Sequence, residues 1–269
     1  QVAAVADRLR AWPADAPDQL LCVLEHGYST AELSVAGLKG RDAALTTVLA
    51  AAAEAAGCDA HLGMLALEEF GSAQHGWQRG EFEVQEVLDW QCTVGHLRTL
   101  ADAPVALGAL PVDEQTQLLP PDALEDVRPD HEAFHEATGN EGASFERTYR
   151  KAAIVLWPRP RRGAVYARLP PADALTMLPS LVKSDPDTAR GMAAGLVQRW
   201  RAPHNPDTAD GLLAHLLAAL IDLRGRDAVR QLIAEHTGPT LGPRTGAHLP
   251  DALALLGWDP ALLREQISG

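Results

Sequence analysis

"YRKAAIVLWPRPRRG", residues 149–163, contains the point at which the chain changes architecture. "AAIVLWP" is an apolar run without helical period, rich in β-formers and closed by a proline, so it reads as a buried strand. "PRPRRG" then breaks the pattern and reads as a linker, placing a boundary between residues 159 and 171. Upstream the periodicity is mixed. Downstream it is helical throughout. The division predicts an α+β chain: a β-containing N-terminal domain over residues 1–160, then an all-α tail of helical pairs, solenoid-like or bundled, over residues 161–269.

Working upstream, "QLLCVLEH" (19–26) is a short apolar run and a candidate buried strand. "GRDAALTTVLAAAAEAAG" (40–57) is Ala-rich, carries Asp42 in its first turn and ends at Gly57, so it reads as a helix with a glycine C-cap. "CDAHLGMLALEEF" (58–70) reads as a strand, and "EVLDWQCTVGHLRTL" (86–100) as one or two. Residues 71–85 and 101–128 read as irregular loops laid over a β-core.

Working downstream, Asp185-Pro186, Asn205-Pro206 and Asp259-Pro260 each place an N-cap residue before a proline at the first helical position. Helices are expected over "PADALTMLPSLV" (171–182), "TARGMAAGLVQRW", "TADGLLAHLLAALIDL", "GRDAVRQLIAEHTG" (225–238) and "ALLREQI". In the third of these, apolar residues recur three or four apart, the spacing of one helix face.

Charge divides the chain in the same place. Residues 1–159 carry 11 basic and 25 acidic side chains, and residues 160–269 carry 12 and 11. An acidic first half repels a phosphate backbone, so nucleic acid is not an expected partner. No apolar run reaches the roughly 18 residues that cross a membrane as a helix. The first residue is Gln1, with no signal-like segment after it, as in a mature or truncated piece. Cys22, Cys58 and Cys92 form no C-x-x-C and cannot all pair with one another, the usage expected of reduced thiols in the cytoplasm.

Two segments carry candidate chemistry. "HEAFHEATGNEG" (131–142) contains His-Glu-x-x-His. On a helix, His131 and His135 would stand one turn apart and could share a Zn²⁺, with Glu132 as general base and Glu141 as a carboxylate ligand. The context opposes this. Thr138, Gly139, Asn140 and Gly142 follow at once, which is helix-ending composition, and the extended zinc-protease pattern meets Thr138 and Glu141 where it needs Gly and His. The favoured reading is a short helix leading into a structural turn at Gly139, Asn140, Glu141 and Gly142, with no metal. "LEHGYS" (24–29) gathers Glu25, His26, Tyr28 and Ser29 at a strand end, where polar clusters either line sites or close the turn with local hydrogen bonds.

Three strings resemble a known family: "LLCVLEHGYSTAELSVAGLKGRDAALTTVLAAAAEAAGCDAHLGML" (20–65), "LLPPDALEDVRPD" (118–130) and "HEATGNEGASFERTYRKAAIVLWPR" (135–159). Together they look like the region after the catalytic domain in bacterial and fungal 2-oxoglutarate/Fe(II)-dependent dioxygenase-like proteins of the prolyl 4-hydroxylase type. The resemblance spans about residues 18–160. It implies a degenerate double-stranded β-helix as the alternative to a mixed sheet for the first domain. It also implies Fe(II) and 2-oxoglutarate as cofactors of the parent protein. That chemistry needs His-x-Asp or His-x-Glu plus a distant His. None of the 10 histidines here has an acidic residue two places on. The resemblance therefore implies a non-catalytic accessory region without a cofactor of its own. Its catalytic residues would lie upstream of Gln1, and its partners would be that upstream domain or a protein substrate. The alternatives are a zinc hydrolase using HEAFH and a structural interaction scaffold.

Overall fold

The structure, a computed structural model, describes residues 1–75, 82–125, 127–136 and 142–201. The expected helices beyond residue 201 and the turn residues Gly139, Asn140 and Glu141 lie outside them. The chain divides into two compact units, Gln1–Arg159 and Pro160–Gly269.

The first unit is α+β. A helix, α1 (Val2–Arg10), precedes strand β1 (Leu20–Val23) and helix α2 (Gly40–Ala56). Gly57 ends α2 with φ of 71°, the left-handed conformation that a Cβ disfavours. Two 18-residue strands follow, β2 (Cys58–His75) and β3 (Phe82–Thr99). Then come β4 (Leu110–Pro111), the one-turn helix α3 (Glu114–Gln117), β5 (Leu118–Leu119), β6 (His131–His135) and β7 (Ala143–Pro158).

The seven strands form one mixed sheet in the order β4-β3-β2-β7-β1-β5, with β6 also paired to β7. Among the described residues only β1 and β5 run parallel. β7 is the hub: Leu20↔Leu156 to Val23↔Ala153 tie it to β1, and Cys58↔Pro158 to Ala73↔Ala143 tie it to β2. "AAIVLWP" is buried along its length because it is paired on both edges and covered on both faces. One face of this end packs on α1 and α2 through Leu62, Met64, Ile154, Leu156, Leu49 and Ala53.

Residues 101–128 cover part of the remaining surface with little regular structure, as their composition suggests. Leu110, Val112 and Leu118 are buried there. The buried Gln19 amide donates to Gln117 Oε1 at 3.1 Å and to the Pro111 carbonyl at 2.9 Å, which secures the segment to the start of β1. Asp102, at φ of 63°, accepts the Val35 amide at 2.7 Å.

Two expectations are corrected. Residues 71–85 are not one irregular loop, since β2 runs on to His75 and β3 begins at Phe82. "EEFGSAQH" shows only a faint apolar alternation because one face meets solvent and the other buries only the small residues Gly71 and Ala73, opposite Phe145 and Ala143, so the ladder marks it as a strand more than its composition does. Gly71 belongs to that ladder. A Cβ there would lie 2.0 Å from the Glu86 carbonyl oxygen, at one of the places where the β2–β3 register shifts. Second, HEAFH is a strand and not a helix. It pairs His131↔Thr148 through His135↔Ser144. Cross-strand partners decide this: Phe134 lies opposite Phe145 and stacks on Phe82 at 4.9 Å, and Glu132 lies opposite Arg147 and accepts its Nε at 2.5 Å.

In the second unit the described residues are helical: a 3₁₀ turn, then α4 (Arg162–Tyr166), α5 (Pro171–Ser184) and α6 (Pro186–Arg201). Asp185 caps α6 as its Asp-Pro start predicts, accepting the Thr188 amide at 3.2 Å and hydroxyl at 2.7 Å. No described helix is long and apolar enough to cross a membrane.

Candidate functional site

The densest polar arrangement joins the end of β1 to the first turn of α2. Asp42 is third in that helix and its side chain is buried. Its Oδ1 accepts the Glu25 amide at 3.0 Å. Its Oδ2 accepts the His26 amide at 3.0 Å and the Tyr28 hydroxyl at 3.0 Å, with His26 Nδ1 at 2.8 Å. The Tyr28 oxygen in turn accepts the Lys39 amide at 3.0 Å. One carboxylate thus folds "LEHGYS" back onto the positive end of a helix. Burial pushes the Asp42 carboxyl up, but the four hydrogen bonds outweigh it and hold the group below the ordinary carboxylate range. Tyr28 is raised, first by burial and then by Asp42, so it remains a phenol. The short contact to the Asp42 carboxylate orients the His26 ring through Nδ1.

Beside this cluster lies a cleft of about 520 Å³, lined by Cys22, Glu25, Arg41, Leu45, Leu119 and Lys151 among others. Burial pushes the Cys22 thiol up to about 11, which favours the neutral thiol over a thiolate nucleophile at neutral pH. The Asp42 cluster therefore uses its groups on one another. It orients an imidazole and closes a turn, and no activated nucleophile stands with it.

The other end of the sheet has a different chemistry. A groove of about 380 Å³ crosses β3, β2 and β7 and is lined by Glu68, Phe70, Asp89, Trp90, Glu146 and Arg147 among others. Phe70 is 44% exposed, Val87 42%, Leu88 61% and Trp90 48%. Glu69 accepts the Tyr149 hydroxyl at 3.0 Å. A neighbouring hollow holds Glu114, whose carboxyl is pushed up by burial and then by Glu69 and Asp113.

The HEAFH residues stand on this exposed end. In a strand, four positions span about 13 Å, against about 6 Å on a helix. His131 and His135 therefore share a face without sharing a point. Glu132 is engaged by Arg147, and His135 Nε2 lies 3.8 Å from Glu146. Gly142 is described and open to solvent, and the proposed partner carboxylate, Glu141, is outside the described residues. Among the described residues, no three His, Cys, Asp or Glu side chains converge where a metal ion could be held.

Sequence reasoning singled out "LEHGYS" but not the residue that organises it. An Asp in the first turn of a helix is ordinary, and only the fold shows which donors it meets. Phe70, Val87, Leu88 and Trp90 fell within expected strands, but sequence alone gave no sign that those stretches face solvent. No family model matches the chain, and neither a curated protein nor a solved structure does.

Proposed function

We propose that the chain is a non-catalytic accessory region of a 2-oxoglutarate/Fe(II) dioxygenase-like protein, one that presents the exposed end of its sheet to a protein partner. The observation that carries the interaction role is the strip of Phe70, Val87, Leu88 and Trp90, four large apolar side chains left in solvent on one sheet end. The resemblance supplies the dioxygenase setting. The donor set here does not fit that family's iron site, since no histidine stands two residues before an acid. Fe(II) and 2-oxoglutarate would then belong to the catalytic domain of the parent, and the partner would be that domain or its protein substrate. The helical tail continues the accessory region, and the three free thiols fit a cytoplasmic setting.

The experiment has two arms. The purified chain, given Fe(II) and 2-oxoglutarate, should form no succinate. Joined to its own upstream coding sequence, the double change Leu88→Asp and Trp90→Ala should raise KM for the protein substrate about tenfold, with uncoupled 2-oxoglutarate turnover unchanged. Succinate formation by the chain alone, or an unchanged KM, overturns the reading.

A further inference from the structure

The exposed strip lies beside an open sheet edge. β4 pairs with β3 only at Thr93↔Pro111 and Val94↔Leu110. The Val112 amide donates to the Cys92 carbonyl at 2.8 Å, and the chain then leaves the lane to form α3. Among the described residues no strand pairs with residues 82–91 on that side. The vacated lane is about 30 Å long at the usual rise per residue.

Backbone polarity in the lane follows from the same contact. The Cys92 carbonyl faces it, and the β2–β3 register is regular from Trp90 to Cys92. Strand alternation therefore turns the polar groups of Trp90 into the lane as well. The Trp90 amide is taken by its own neighbour, the Asp89 carboxylate, at 2.9 Å. That oxygen occupies the place a carbonyl of an adjacent strand would take.

Charge says what fits there. Glu83, Glu86 and Asp89 lie along β3, with Glu68 and Glu69 on β2 and Glu146 on β7. Arg147, which stands among them, is engaged by Glu132. A second copy of β3 would bring a like-charged edge into the lane. The two register shifts that leave Gln85 and Leu88 without β2 partners skew the edge further against self-pairing.

We propose that the outer edge of β3, residues 82–90, takes up an extended basic segment of a partner protein as an added strand. Main-chain hydrogen bonds supply the binding, the carboxylates select Lys and Arg side chains, and Val87, Leu88 and Trp90 receive the apolar positions between them. The proposal rests on the interaction role given above and specifies its mode.

The test uses the full chain and a blocked peptide of about ten alternating Lys and Val residues, long enough for the lane. Its comparator is the same peptide N-methylated at every second amide, which keeps the charge and removes the ladder. Saturable binding of the first peptide is expected, with slowed hydrogen exchange confined to residues 82–92. Binding should weaken about tenfold for the N-methylated peptide, and about tenfold for Glu86→Lys with Asp89→Lys. Circular dichroism of that variant checks that it folds. Equal binding of the two peptides, protection elsewhere, or absence of binding overturns strand addition. So does concentration-dependent dimerisation lost in Leu88→Asp, which puts a second copy in the lane. These outcomes separate from the fate of the accessory role. If the peptide adds as a strand while the chain alone makes succinate, the edge stands and the accessory reading falls. If the peptides bind equally and KM still rises in the joined protein, the reverse holds.

Discussion

At one end of strands β2, β3 and β7 the sheet lies under helices; at the other, Glu68, Phe70, Glu86 and Asp89 stand in water. The backbone ladder is continuous between them, from Cys58↔Pro158 to Ala73↔Ala143. What changes is the cover. Where α1 and α2 lie over the sheet, β2 reads "LGMLAL" and is buried residue after residue. Past Leu67 it reads "EEFGSAQ", with carboxylates on both faces. A strand therefore needs little apolar surface of its own where its neighbours already hold it, and a large apolar residue left in solvent on such a stretch is free to serve recognition.

Single substitutions can break or sharpen that contrast. Leu62→Ala, in the covered end, should cost about 3 kcal/mol by denaturant titration, through the cavity it leaves. A cost below about 1 kcal/mol would mean that this end is not the core. Asp42→Asn comes next. It keeps the shape but removes the charge that four donors address, and about 2 kcal/mol is expected. An unchanged midpoint would show the knot to be incidental.

The same carboxylate gives a pH signature. Its folded pKa lies below the ordinary value of 3.8, so its contribution is fully present above that value and fades as pH falls through the lower folded pKa. Acid titration of wild type against Asp42→Asn should show the stability gap closing below about pH 4. A gap that persists at lower pH would assign the loss to packing.

At the uncovered end effects should shrink. Glu132→Ala removes a partly exposed pair with Arg147 and should cost about 0.5 kcal/mol. Leu88→Ala, His131→Ala and His135→Ala should each stay within about ±0.5 kcal/mol. A large loss in either histidine variant, accompanied by release of bound zinc, would reopen the metal reading of HEAFH.

How far the sequence could be read follows the same division. β1, α2 with its Gly57 cap, the buried half of β2 and the end of β7 were legible because each buries an apolar pattern. β6 was misread because the spacing of two histidines suggested a helix, while the partners that make it a strand, Phe145 and Arg147, lie ten or more residues away. Residues 71–75 of β2 and 82–85 of β3 were missed for a related reason: glycine, alanine and polar side chains there leave too faint an alternation to mark a strand. Asp42 was visible only as a helix-start residue. Its meeting with Glu25, His26 and Tyr28 is a product of the fold. α1 gave no reading at all, being short and half-polar.

The position of β7 at the hub of the sheet also sets a timetable for synthesis. The β2–β3 hairpin is complete once residue 99 has left the ribosome. β1, however, has no lasting partner on its inner side until "AAIVLWP" arrives, and the second edge of β2 waits equally long. About 100 residues separate Cys58 from Pro158, or roughly 5–20 s of translation. For that interval the apolar "LGMLAL" segment has an unpaired edge, and the growing chain is at its most vulnerable to aggregation. Among the described residues, the strand that closes the sheet is the last one made.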